Sequence, residues 1–216
     1  MSEPTTSFDF NAFIRESKET LLNPKAYFST MKTSGGIAEP LIKALIYGVV
    51  AGLIAFLWGV IGLGGRLGVF GAGIGAMVLV WTILGAIIGL FIGAVIVLII
   101  SSICKGNTDF EANLRVVAAV MVVMPISALF GFTMGINSIF GGIVTLCVNL
   151  YALYLLYHGL TESLKANPAT AKIVMYVLAA LLAIFTIAGF GTRNRMNKYM
   201  NDINQSDLQE ILKDNQ

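Results

Sequence analysis

The feature that most constrains this chain is the length of its charge-free apolar runs. Between Lys43 and Lys105 the only charge is Arg66, and between Arg115 and Lys172 the charges are Glu162 and Lys165. The hydrocarbon core of a bilayer is about 30 Å thick and takes about 20 apolar residues per helix. Inside it every backbone N–H and C=O must be satisfied within the protein. Runs of this length predict an all-α, polytopic membrane helical bundle. Composition agrees, since 56% of the 216 residues are hydrophobic and 12% are charged, against about 25% charged in an average soluble domain. The net charge of +2 is too small to point to nucleic acid as a partner.

The runs resolve into five transmembrane helices. The first covers about Leu41 to Ile61, where Lys43 can snorkel to one interface and Trp58 is placed to anchor the other. The others cover about Leu79 to Ile103, Leu114 to Met134, Ile139 to Leu160 and Ile173 to Phe190. Six spans result if residues 63 to 104 hold two short helices. The segment "GLGGRLGVFGAGIGAM" approaches a dinucleotide-binding fingerprint, but Leu67 stands where the third glycine belongs and no strand precedes it. It reads as a loop or a partly re-entrant segment.

Outside the bundle, taken as residues 41–191, the chain divides into a polar N-terminal segment (1–22), a short helix (23–34) and a polar tail (192–216) in which Ser206 would cap a surface helix. In "NPKAYFSTM", Asn23 is an N-cap and Pro24 the first helical residue. Tyr27, Phe28 and Met31 share one face, which predicts an amphipathic helix lying in the headgroup region, a plain soluble helix being the alternative. "FDFNAFIRES" is a second, weaker candidate. The N-terminus lacks the basic start and short apolar core of a cleaved signal peptide, so the first run is predicted to be retained as an anchor. Cys104 and Cys147 lie in or beside apolar stretches and suggest no disulfide framework.

Small and polar residues within the spans predict the packing. Gly85, Gly89 and Gly93 form overlapping GxxxG steps in the second span, and Gly48 with Gly52 makes a matching flat patch in the first. These predict close packing of the two helices within one chain, with self-association as the alternative. Pro125 removes a donor and frees the Met121 carbonyl, which predicts a kink in the third span, and Ser127 is near enough to re-satisfy the backbone. Asn149, near the middle of the fourth span, predicts an interhelical hydrogen bond or, with the kink, a lining residue of a substrate route.

At the entry to the third span, Asp109, Glu111 and Arg115 are predicted to meet Tyr154, His158 and Glu162 of the fourth, which are spaced i, i+4, i+8 on one helical face. One reading is a headgroup-level rim with local charge pairing. The sharper one is a polar vestibule that binds a cation or passes protons. No HxxxH or CxxC spacing supports a metal site. Two cysteines, one histidine and no nucleophile–base motif predict that the chain is no enzyme and carries no cofactor.

Orientation follows from the basic residues. With five spans, the N-terminal side receives Arg15, Lys18, Lys25, Lys32, Lys43, Lys105, Arg115, Lys165 and Lys172, and the other side Arg66, Arg193, Arg195, Lys198 and Lys213. Nine against five predicts a cytoplasmic N-terminus.

The order of these features resembles the Yip1-domain family of small multi-pass membrane proteins. The resemblance rests on "NPKAYFSTM" ahead of five spans, on a glycine followed by Phe110 and an apolar run ending in Pro125, on the "VNLYALYLLYHGL" helix, and on a linker with lysine and alanine before the last span. It covers about residues 20 to 192 and implies a five-helix bundle with a cytoplasmic N-terminus. Eukaryotic relatives act in vesicle trafficking between ER and Golgi, with Rab GTPases as partners. Here the N-terminal segment is short and the sequence is bacterial in style, so a Rab partner has no obvious place and the expected location is the inner membrane of a bacterium. The family brings no catalytic set to map. The resulting expectation is a membrane scaffold that organises lipid or protein partners, as a homo-oligomer or with another membrane protein. The alternative is a small channel or transporter that uses the polar vestibule.

Overall fold

The computed structural model describes residues 9–63 and 72–189. They form helices α1 (Phe10–Leu22), α2 (Pro24–Thr30), α3 (Ala38–Val60), α4 (Ala72–Ile103), α5 (Phe110–Val120), α6 (Val123–Leu129), α7 (Thr133–Ile136), α8 (Ser138–His158) and α9 (Pro168–Gly189). No strand occurs among the described residues. Five stretches are long and apolar enough to cross a membrane: Ala38–Val60, Leu79–Ile103, Phe110–Ile136, Ser138–Ser163 and Pro168–Gly189. Residues 72–103 are one uninterrupted helix, so the described chain has five spans rather than six. The expected loop at Arg66 and the capped helix of the tail lie outside the described residues.

Local chemistry sets the helix ends. The Asp9 carboxylate accepts from the Asn11 and Ala12 amides and starts α1, while Asp109 accepts from the Ala112 amide and starts α5. Asn137 caps α8 through the Ile139 and Phe140 amides. Asn23 makes no side-chain cap; Pro24 at the first position of α2 supplies the fixed φ instead.

The third span is composite. Helix α5 ends at Val120, a turn occupies Met121–Val122, and α6 carries Pro125. The break lies one turn before the proline, where the missing N–H would have bonded the Met121 carbonyl. That carbonyl accepts from the Met124 amide at 2.9 Å instead. Ser127 is exposed and takes no part.

Helices α3 and α4 pack through the flat patch of the first. A Cβ at Gly48 would lie 2.7 Å from the Ala86 Cβ, and one at Gly52 3.5 Å from the Leu79 Cα. The facing stripe on α4 is Ala86, Leu90 and Ala94, all buried, not the predicted glycine stripe. Gly85 and Gly89 have nothing within 4 Å of where a Cβ would be, and Gly93 meets Val117 of the third span. Only the smallest buried side chains were needed opposite Gly48, so alanine served where glycine was expected.

Candidate functional site

The charged residues of the described chain collect at one end, the N-terminal face, where α1, α2 and the two connecting loops at 104–109 and 164–167 lie. On it α1 contributes Glu16, α3 contributes Glu39 and Lys43 one turn apart, and α5 contributes Glu111 and Arg115 at the same spacing. Lys43 Nζ lies 2.7 Å from Glu16 Oε2 and 2.8 Å from Glu39 Oε1. Arg115 Nη1 lies 2.9 Å from Glu39 Oε2, and Arg115 Nε 3.0 Å from Glu111 Oε1. The result is an unbroken chain, Glu16–Lys43–Glu39–Arg115–Glu111, that ties three helices together.

The turn before α3 wraps the arginine. Arg115 Nη2 donates to the Gly36 carbonyl at 2.8 Å, and the Gly36 amide donates to Glu111 at 2.7 Å. Gly36 has φ +91°, a conformation that favours glycine. The Arg115 side chain is only 5% exposed, so these partners replace the water that a guanidinium otherwise requires. A cavity of about 260 Å³ opens beside the chain, bordered by Arg15, Glu19, Tyr27 and Lys32 as well. Burial pushes the Tyr27 phenol above its ordinary pKa. Because both cations of the network are fully paired by its carboxylates, its chemistry is that of a latch between helices.

The two sets of residues predicted to form one vestibule are separate. No hydrogen bond or ion pair joins Asp109, Glu111 or Arg115 to Tyr154, His158 or Glu162. Asp109 caps α5, and Glu111 and Arg115 turn to α3. On α5 the next residue, Val116, reaches the fourth span, against Gly159 and beside Phe28. Successive helical residues point about 100° apart, so Arg115 cannot share that direction. His158 packs edge-on to Tyr154 and Tyr157, with ring centroids 4.7 and 5.4 Å away. Its buried Nδ1 has no partner, and the charges it feels are Glu162 and Lys25. Among the described residues no group of three His, Cys, Asp or Glu side chains is placed to hold a metal ion.

Sequence reasoning missed Glu16 and Glu39 as partners and took Lys43 for a snorkelling cation. The signal was present only locally: Glu39 precedes Lys43 by four residues, the favourable order for a helical pair.

The connecting loops were also missed as a pair. The Asn107 amide donates to the Leu164 carbonyl at 2.7 Å, and the Asn167 amide to the Cys104 carbonyl at 2.8 Å. Each loop reads Lys-Gly-Asn or Lys-Ala-Asn, and Lys105 and Lys165 both adopt left-handed backbone, φ 56° and 55°. Gly106 is required, since a Cβ there would lie 2.9 Å from the Ala166 Cβ and 3.0 Å from the Leu164 carbonyl oxygen. The hairpin of spans two and three is thereby stitched to that of spans four and five, with both lysines exposed.

Asn149 is exposed on α8 and its side-chain amide makes no hydrogen bond among the described residues, so the predicted interhelical bond is absent from the described chain. Beside the lower part of α8, a groove of about 380 Å³ runs against α9, lined by Leu150, Tyr154, Tyr157, Lys172 and their neighbours.

The family model of the Yip1 domain matches residues 18–190. No curated protein and no solved structure matches the chain.

Proposed function

The chain belongs to the Yip1-domain family, and from that premise we propose that it is a membrane scaffold whose N-terminal face presents a rigid platform to lipid or protein partners. The observation that carries this is the latch Glu16–Lys43–Glu39–Arg115–Glu111. It fixes α1 to the spans, while the reciprocal loop bonds fix one hairpin to the other. A surface held this way keeps its exposed lysines at constant separations, which is what repeated recognition of one partner requires. The excess of basic residues on this face supports its placement on the cytoplasmic side of the membrane. The transport alternative needs the two polar clusters to converge, and the pairing of Arg115 with Glu39 weighs against it.

The test is site-directed photocrosslinking of the full chain in its own membrane. A crosslinker at Lys165 should give discrete protein adducts, and one at Ile187, at the opposite end of the fifth span, should not. Breaking the latch with Arg115→Gln should abolish the Lys165 adducts while the protein remains in the membrane. Equal adducts at both positions, or adducts indifferent to Arg115→Gln, would refute the platform reading.

A further inference from the structure

The groove between α8 and α9 is graded in polarity along its length. Its deep end is formed by Leu150, Leu153 and Ala179; toward the N-terminal face come Tyr154, Tyr157 and Lys172. From Lys172 to Ala179 is about 10 Å at the rise of an α-helix. The Lys172 ammonium stands over the Tyr176 ring, 5.9 Å from its centroid, and has no carboxylate partner among the described residues. It is four residues into the span Pro168–Gly189, the depth at which a snorkelling lysine reaches headgroups.

We propose that this groove is a binding site for one anionic glycerophospholipid. The Lys172 ammonium meets the phosphate, the Tyr154 and Tyr157 hydroxyls donate to phosphate or ester oxygens, and one acyl chain lies on Leu150, Leu153 and Ala179. The gradient selects a lipid over a second helix: a helix would bury Lys172 against apolar side chains, whereas a lipid supplies a negative charge at the cationic end and hydrocarbon at the other. The free cation selects an anionic lipid over a zwitterionic one, since the choline headgroup carries its own positive charge. The site rests on the platform reading only for its leaflet, the cytoplasmic one.

Native mass spectrometry of the full chain, released from nanodiscs of equal parts phosphatidylglycerol and phosphatidylcholine, tests it. Wild type should retain one phosphatidylglycerol in preference to phosphatidylcholine. Lys172→Ala should reduce that preference about fivefold, the worth of one lysine near an anionic surface, and Lys172→Arg should keep it. Ala179→Trp, which fills the floor, should lower retention of both lipids. Lys172 is exposed, so the alanine variant keeps the fold, and its melting curve without added lipid should match wild type. Equal retention of the two lipids, or a preference untouched by Lys172→Ala, overturns the site. The photocrosslinking at Lys165 is independent of this readout, so the groove and the platform can fail separately.

Discussion

The amide of Asn149 sits near the middle of the fourth span with no hydrogen-bond partner among the described residues. An interhelical bond there would be worth about 0.6 to 2 kcal/mol, and its removal would cost that much. An amide that faces lipid in the folded chain faces lipid in the separated helices too, so the two states cancel. Asn149→Leu is therefore expected to leave the unfolding free energy in lipid or mild detergent unchanged or slightly raised. A loss of about 1 kcal/mol in a denaturant titration would instead mean that the amide has a partner. Lys43 and Arg115 are the opposite case. Each is a cation near a span end that a single sequence invites one to read as snorkelling or solvated. Their partners Glu16 and Glu39 lie on other helices or just outside the run, and nothing in local spacing announces a contact between residues 39 and 115. Long-range pairing of charges is the information that a lone sequence lacks.

Helices were far more legible than their contacts. The charge-free runs gave five spans because bilayer thickness fixes helix length from outside the protein, whatever the helices touch. Pro125 marked the third span for the equally local reason that a missing N–H frees one carbonyl, and the break at Met121–Val122 lies where that carbonyl is. Which face of α4 meets α3 was not legible, because Gly85, Ala86 and Gly89 are all small enough to permit close approach. The structure separates them sharply. Gly48→Ala places a methyl 2.7 Å from the Ala86 Cβ and should cost about 1 to 3 kcal/mol through overpacking. Gly85→Ala enters open space and should cost nothing. Equilibrium unfolding of both variants in one detergent compares them directly; equal losses would contradict this pairing of the first two spans.

At the scale of the whole molecule, order is concentrated at the N-terminal face. There the loops interlock, the latch spans three helices, and α9 is buried through Ala171 and Met175. Farther along, Ile184, Phe185 and Ile187 of the same helix are 60, 72 and 68% exposed, as apolar side chains of a span facing the acyl chains of a bilayer are. Helix α2 is part of the ordered end. Its aromatic face was expected to rest on headgroups, yet Phe28 is 0% exposed within the protein, against the Gly159 backbone and Val116, and the Tyr151 hydroxyl donates to the Leu21 carbonyl at the end of α1. The two placements predict different losses from one substitution. If Phe28 served as a membrane anchor, Phe28→Ala would leave the five-span bundle as stable as before. As a buried wedge between α2 and the third and fourth spans, it should cost about 3 to 5 kcal/mol, the range for emptying a core phenylalanine site. The lost wedge should also loosen α1, because only Asn23 separates it from α2 and its ties to Tyr151 of the fourth span and Lys43 of the first are single bonds. The expected result is a lower unfolding midpoint together with faster proteolysis in the segment Met31–Ile37, which joins α2 to the first span. An unchanged midpoint would return α2 to the headgroups and remove the wedge from the fold.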